Sequence, residues 1–196
     1  MTQETVKTNF LKNEKFKDYS DCDSEQSDEE TNISRDINVS QYLLEEISSI
    51  LNSIVKQNKK KKNPKDIDKI FIHGQTPQIS IFDYLCRIQK YSLIENSTLI
   101  ISLIYIDRIC KEKGFILTKN NIHRILFISI YTAIKYNEDK IYKNKFYAKI
   151  AGISVKELTK LESGFLNLIE FKLFVTDEIY QVYSSFLDSI NKQTKY

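Results

Sequence analysis

The hydrophobic and polar positions of this chain follow the period of an α-helix over most of its length. Residues 119–139, KNNIHRILFISIYTAIKYNED, form the most apolar segment. At 3.6 residues per turn its apolar side chains point in every direction, which is typical of a buried helix. The longest apolar run, residues 125–134, is about half as long as the roughly 18 residues that a membrane-spanning helix needs, so we expect no membrane-spanning segment. We predict that this helix is the centre of the domain.

Further helices are predicted on both sides of the central one, from apolar residues spaced three and four apart and from helix start signals. They cover residues 41–57, 80–91, 97–113, 143–150, 154–172 and 177–190. Ser40, Thr118 and Thr176 are expected to start helices, and Ser154 with Glu157 has the spacing of a capping box. Helix 41–57 is amphipathic, and we expect it outside the main core. Four glycines and two prolines leave few tight turns, which favours an all-α fold.

Composition and motifs argue against catalysis and against a metal site. Cys22, Cys86 and Cys110 are widely spaced and odd in number, and neither histidine is near them in sequence. The chain has no glycine-rich phosphate loop, no HExxH and no GxSxG motif. We therefore predict no metal, no cofactor and no enzymatic activity. The start of the chain does not resemble a secretory signal, so we expect a cytoplasmic or nuclear location or both.

Two charged residues occupy apolar helix faces. Lys135 is in the last turn of the central helix, beside Tyr131 and Ile128, and Glu162 lies within the apolar arc of helix 154–172. A buried carboxylate costs several kcal/mol unless it is paired or near water, so the two charges could pair with each other. Alternatively, Lys135 interacts with the carbonyl end of its own helix, worth about 0.3–1 kcal/mol, and Glu162 reaches water at the edge of its arc.

Asp107 is a third charged residue on an apolar face, because Leu103 and Ile100 precede it by one and two turns. Arg87 is the partner we predict, since a guanidinium can hold a carboxylate through two hydrogen bonds. The expected Arg87–Asp107 ion pair is structural and would hold two helices in register.

Five segments in a fixed order resemble one known family. They are YIDRI at 105–109, NIHRIL at 121–126, AIKYNED at 133–139, NKFYAKIAGIS at 144–154 and ELTKLESGFLNLIEFKL at 157–173. Together they resemble the cyclin box, most closely that of the phosphate-pathway P- or U-type cyclins. The resemblance covers roughly residues 76–187. About nine residues follow Leu187, so we expect a single box.

The resemblance implies a cyclin box of five helices, here flanked by an additional N-terminal helix and a C-terminal helix. With this box at 76–188, the chain divides into an acidic tail (1–36), an N-terminal helix with a lysine-rich linker (37–75), the cyclin box and a C-terminal tail (189–196). The acidic tail is polar, charged and without helical or strand periodicity, so we expect it to be disordered.

The resemblance also implies a regulatory subunit that binds a cyclin-dependent serine/threonine kinase as a heterodimer, contacts its mobile αC helix and activates it. The family's lysine and glutamate that bind the kinase fall on Lys135 and Glu162. The neighbouring apolar contacts fall on Tyr136, Leu166, Phe171 and Leu173.

Helix 80–91 lacks the MRxIL-type patch with which cell-cycle cyclins dock substrates, so that mode of recruitment is not implied. A different function on the same fold is a scaffold or a nucleic-acid-binding transcription factor, as in transcription factor IIB. Its lysine-rich segment 56–65 would contact phosphates. That segment has six lysines but no arginine or aromatic residue, so we favour a solvated loop and no nucleic-acid partner.

Overall fold

A computed structural model describes residues 41–64, 69–72 and 76–194, of which 190–194 are described by their backbone alone. These residues form helices and connecting loops, with no strand among them, which confirms the predicted all-α fold. The helices are α1 Gln41–Gln57, α2 Ile81–Ser92, α3 Asn96–Lys113, α4 Ile122–Asn137, α5 Asn144–Ala151, α6 Val155–Leu168 and α7 Asp177–Thr194. The predicted acidic tail 1–36 and the predicted cap Ser40 lie outside the described residues.

Helix α4 is the buried centre of the fold, as its apolar pattern predicts. All of its residues from Ile122 to Ile134 are buried except Arg124, and Ile125 and Ile128 have no exposed surface. Helix α3 packs along α4, while α6 and α2 pack against other sides of it. Within the described residues, no helix combines the length and hydropathy needed to cross a membrane.

Helix α4 begins at Ile122, four residues after the predicted cap Thr118. The difference comes from Asn121, whose side chain is fully buried and holds the preceding turn. Its Oδ1 accepts a hydrogen bond from Thr118 N at 2.8 Å, and its Nδ2 donates to Ile116 O at 3.0 Å. These two hydrogen bonds hold the backbone before Ile122 in a turn, which the sequence pattern does not predict.

Helix α1 belongs to the main core, contrary to our expectation that it lies outside. Leu43, Leu44, Ile47, Leu51 and Val55 are buried in the same hydrophobic cluster as α4. The helix packs against α2 and α7. Burial of such side chains contributes roughly 1.5–3 kcal/mol each, so α1 is a stabilising part of the domain.

Two predicted helix starts are confirmed. The Ser80 hydroxyl accepts a hydrogen bond from Asp83 N at 3.0 Å, and the Ser154 hydroxyl accepts one from Glu157 N at 3.1 Å. Each bond satisfies a backbone N–H that has no partner inside its helix. The Glu157 carboxylate forms an ion pair with Arg124 of α4. The start of α6 is thus fixed to the central helix as well as capped.

Residues 69–72 lie against α4 and α6. Phe71 is buried and meets the ring of Phe115 edge-on, with ring centres 5.9 Å apart. Arg124 Nη1 donates to Ile70 O and Ile72 O, both at 2.9 Å. A Cβ at Gly164 would lie only 1.8 Å from Ile70 Cδ1, so glycine permits this close approach. The segment is thereby fixed on the helices, although its sequence predicts only an irregular connection.

The lysine-rich segment is a loop that is held near its C-terminal end by hydrogen bonds. Lys59, Lys60, Lys61 and Lys62 are exposed. Asn63 Oδ1 accepts a hydrogen bond from Ile116 N at 2.6 Å while Asn63 Nδ2 donates to Ile116 O at 2.8 Å. This two-way amide contact holds the end of the loop and leaves the lysines in solvent.

We expect Ile128→Ala to lower the free energy of unfolding by about 2–5 kcal/mol, because the truncation leaves a cavity in the most buried helix. The matched control is Ile141→Ala in the loop after α4, where the isoleucine is 47 % exposed. The control should change stability by about 0.5 kcal/mol or less. Urea unfolding of both variants measures the difference, and equal losses would contradict the central position of α4.

Candidate functional site

The side chains of Lys135 and Glu162 meet in the structure. Lys135 is in the last turn of α4 and Glu162 is in α6, which packs against α4. Lys135 Nζ donates to Glu162 Oε1 at 2.5 Å. The glutamate side chain is 16 % exposed and the lysine side chain 39 %, so the pair lies at the boundary between core and solvent. The sequence left open whether the two charges pair with each other or have separate partners. The structure shows the direct ion pair.

The Tyr131 ring contacts the Lys135 ammonium group of this pair. Lys135 Nζ lies 5.3 Å from the ring centre, within the range of a cation–π contact. Burial, with a further contribution from the Glu162 carboxylate, raises the pKa of Tyr131 to about 12. The phenol is therefore neutral at physiological pH, and its hydroxyl donates to Asn144 Oδ1 at 2.9 Å. The lysine thus has an anion on one side and a neutral aromatic face on another.

Apolar side chains lie on the two helices that carry the ion pair and on the loop that follows α6. Tyr136 directly follows Lys135 and is 52 % exposed. Leu166 is one turn after Glu162 on α6 and is partly buried. Phe171 and Leu173 follow the end of α6, with Phe171 65 % exposed and Leu173 partly buried. Exposed aromatic side chains beside a charged pair are typical of a protein-binding surface.

Helix α6 ends at Leu168, before the predicted end at 172. Phe171 N donates to Leu166 O at 2.9 Å, and Glu170 N donates to Asn167 O at 3.1 Å. With Glu170 in the left-handed region, these two bonds form a Schellman motif. Glycine usually occupies the position of Glu170 in this motif, so the sequence contains no signal for the stop. As a result, Phe171 and Leu173 lie on a loop beyond the helix.

This turn contains two strained residues in succession. Glu170 and Phe171 have φ angles of 54° and 56°, which cost roughly 1–2 kcal/mol for each non-glycine residue. The Glu170 carboxylate contacts the ammonium groups of Lys113 and Lys172. Its hydrogen bonds to these lysines, that from Lys113 first, lower the pKa of Glu170 to about 2. Attraction between Glu170 and the two lysines thus offsets part of the backbone strain.

Helix α3 also holds the loop after α6, through two residues that our sequence analysis did not identify. The Tyr105 hydroxyl donates to Leu173 O at 2.8 Å. The Arg108 guanidinium donates to Lys172 O and, at 3.3 Å, to Phe174 O. Both residues belong to the YIDRI segment. That segment therefore positions the backbone on which Phe171 and Leu173 lie.

The predicted Arg87–Asp107 ion pair is wrong. Asp107 forms an ion pair with Lys111 at 2.7 Å and accepts a hydrogen bond from the Tyr183 hydroxyl of α7. Burial first, and then this hydrogen bond, raise the pKa of Tyr183 to about 12.

The Nη2 atom of Arg87 instead lies 3.5 Å from the carbonyl oxygen of Lys149, which is in the last turn of α5. The reason is the packing, because α2 contacts α5 while α3 contacts α7. Arg87 thus places a cation at the negative end of the α5 dipole.

His123 and Cys110, whose side-chain types often take part in catalysis, lie in environments that favour a structural role. His123 is buried, its Nε2 donates to Ile79 O at 2.9 Å, and burial lowers its pKa. Burial first, and then the Asp107 charge, raise the pKa of the Cys110 thiol to about 12, which disfavours a reactive thiolate. Among the described residues, no cluster of His, Cys, Asp and Glu could hold a metal ion.

We expect Glu170→Gln to reduce stability at neutral pH and to have little effect near pH 2. Because folding lowers the pKa of Glu170 from about 4.5 to about 2, its contribution is full above about pH 4.5. The contribution is lost as the pH falls towards about 2. Urea midpoints of both proteins at several pH values measure the difference, which added salt should reduce because Glu170 is exposed. A difference that does not depend on pH would contradict this origin.

Comparison with known proteins identifies the family. The family model described as Cyclin matches residues 24–173. Cyclin-U2-1 of Arabidopsis thaliana is 36 % identical over 61 % of this chain and 54 % of its own length. Cyclin-U4-1 of the same plant is 38 % identical over 59 % of this chain and 58 % of its own length. PHO85 cyclin-7 of Saccharomyces cerevisiae is 34 % identical over 82 % of this chain and 67 % of its own length.

The chain spans just over half the length of Cyclin-U2-1 and Cyclin-U4-1, and about two thirds of that of the yeast relative. The family match covers the helices that carry Lys135 and Glu162 as well as the loop with Phe171 and Leu173. On the match to the family model and the likeness to the yeast relative, this chain belongs to the cyclin family, among the P- and U-type cyclins.

Proposed function

We propose that this chain is the activating regulatory subunit of a cyclin-dependent serine/threonine kinase. It binds the kinase αC helix through Lys135 and Glu162, with Tyr136, Leu166, Phe171 and Leu173 as the neighbouring apolar contacts. The observation that carries the proposal is the 2.5 Å ion pair at the boundary of the core, accompanied by the exposed rings of Tyr136 on α4 and Phe171 in the loop after α6.

The ion pair can accept a partner without losing its own bond. An ammonium has three donors and a carboxylate has several acceptor positions, while the bond between Lys135 and Glu162 uses one of each. The remaining positions can bind backbone or side-chain groups of a kinase as the interface excludes water. Because α4 and α6 hold both charges in place, little side-chain ordering is needed on binding.

The apolar residues supply the rest of the binding energy. Phe171 is 65 % exposed, and aromatic side chains that enter a pocket of a partner are frequent interface hot spots. The contacts of α3 with the loop keep its backbone in position before the kinase binds. The surface is therefore preorganised for a partner.

Activation then follows from differential affinity. A kinase whose αC helix is displaced cannot form the lysine–glutamate pair of its own active site. A partner that binds the αC-in state more tightly shifts the population towards it. A shift from 1:99 to 99:1 requires about 10⁴-fold tighter binding to the favoured state. This chain contributes a binding surface, and the kinase contributes the chemistry.

The yeast relative is named as a cyclin of PHO85, which supports a kinase partner for this chain. A cytoplasmic or nuclear location belongs to the same proposal. The free thiol of Cys110 is compatible with a reducing compartment.

We expect Lys135→Glu and Glu162→Lys each to weaken kinase binding by about tenfold or more, since each leaves two like charges in contact. Pull-down with the kinase and a kinase assay measure binding and activation. The matched control is Lys119→Glu, an exposed lysine before the opposite end of α4. The control should bind like the wild type, and normal binding by both pair variants would contradict the interface.

The charge-swapped double variant Lys135→Glu/Glu162→Lys separates stability from recognition. It retains an ion pair, so thermal unfolding should return towards the wild-type midpoint. Kinase binding should remain weak, because the partner meets the charges in reversed positions. Full recovery of binding would mean that the pair acts only within this chain.

We expect Phe171→Ala to weaken kinase binding by roughly 2 kcal/mol or more, as expected of an interface hot spot, with little change in thermal stability. The ring is largely exposed in the protein alone, which explains the small effect on folding. Phe186→Ala on α7 is the control, because Phe186 is 52 % exposed and lies outside the proposed contacts. Titration calorimetry with the kinase should separate the two variants, and equal affinities would remove Phe171 from the interface.

A further inference from the structure

A cavity of about 350 Å³ lies between residues 69–70, α4 and the first turns of α6. Four cationic side chains line it, together with one carboxylate: Lys69, Arg124, Lys156, Lys160 and Glu157. This concentration of positive charge is local, because the whole chain of 196 residues has a formal net charge of only +3. Neither the family match nor the kinase proposal gives this cavity a role.

The single carboxylate of the cavity is already paired. Glu157 forms its ion pair with Arg124, and Arg124 also donates to the carbonyls of Ile70 and Ile72. Among the described residues, Lys156 and Lys160 form no ion pair. They follow each other by one turn of α6, so both ammonium groups lie on the same side of the helix. The positive charges of Lys156 and Lys160 are therefore not neutralised from within the cavity.

The walls of the cavity are held in place before any ligand binds. Ile70 lies directly against Gly164, and the guanidinium of Arg124 joins residues 70 and 72 to α4. The cavity also lies at the N-terminal turn of α6, where the helix dipole adds positive potential. The fixed side of the cavity, formed by Arg124 and residues 70 and 72, needs little reorganisation to accept an anion.

The cavity is separate from the proposed kinase surface. At about 100° per residue, Lys156 and Lys160 point roughly 120° away around α6 from Glu162 and Leu166, and Lys156 lies more than a turn before Glu162. The buried residues Leu158, Leu161 and Phe165 form the stripe between these flanks and the core. A ligand in the cavity and a kinase on Glu162 would therefore not compete for the same side of the helix.

We propose that this cavity binds a dianionic phosphate group. Lysine ammonium groups bind phosphate as point charges, and a dianion matches several cations better than a single carboxylate does. A volume of about 350 Å³ has room for a phosphate and the atoms that carry it. The phosphate could be free or attached to a serine side chain of a protein, since both present the same charged oxygens.

The test is titration calorimetry of the full chain at about 0.15 M salt, where weak surface attraction is screened. The probes are inorganic phosphate, a short phosphoserine peptide and the same peptide without phosphate. We expect both phosphorylated probes to bind and the unphosphorylated peptide not to bind. A peptide that binds about tenfold tighter than phosphate assigns the site to a phosphorylated protein segment, while equal affinities assign it to the free anion.

The decisive variant is Lys156→Gln/Lys160→Gln, with Lys160→Gln alone as a milder change. Both lysines are exposed, so the variants should fold, which circular dichroism and thermal unfolding can check. We expect the double variant to lose about tenfold or more in affinity for the phosphorylated probes. Kinase binding should remain at the wild-type level.

The matched control is Lys59→Gln/Lys60→Gln, which removes the same charge from the exposed lysine-rich loop. Phosphate affinity of this control should stay within about twofold of the wild type. The proposal is overturned if neither phosphorylated probe binds, if the unphosphorylated peptide binds equally well, or if the loop variant loses as much affinity as the cavity variant.

Discussion

The packing of α6 against the buried helix α4 is the contact on which the functional surface depends. A helix whose whole circumference is buried has little freedom to rotate, because every rotation would replace well-packed side chains with poorly packed ones. The last turn of α4 therefore places Lys135 at a fixed point. Glu162 pairs with it because the buried stripe of α6 fixes that helix with equal precision. The candidate site is thus a consequence of the core.

The loop after α6 depends on polar contacts. A non-glycine Schellman turn costs energy, and the lysines around Glu170 and the α3 donors Tyr105 and Arg108 stabilise it. The result is a surface with a rigid charged pair on one side and exposed aromatic side chains on the other. Such a surface can select one conformation of a partner, since it does not adapt to the others.

Much of this arrangement could be predicted from periodicity. The buried helix and the starts at Ser80 and Ser154 follow from apolar spacing and cap signals. For Lys135 and Glu162, apolar spacing identified two misplaced charges but left open whether they pair, and the structure shows that they do. The partner of Asp107 could not be predicted in the same way, because it depends on which helices become neighbours. The end of α6 was missed since Glu170 gives no sequence signal for a left-handed turn, and residues 69–72 were missed since tertiary contacts alone hold them.

We propose that the kinase covers the ends of α4 and α6. Hydrogen–deuterium exchange of the chain, free and bound to a purified cyclin-dependent kinase, can locate the contact. We expect binding to slow exchange in peptides covering residues 133–138 and 166–174. Unchanged exchange there, with protection confined to other surfaces such as the lysine-rich loop or α7, would contradict it.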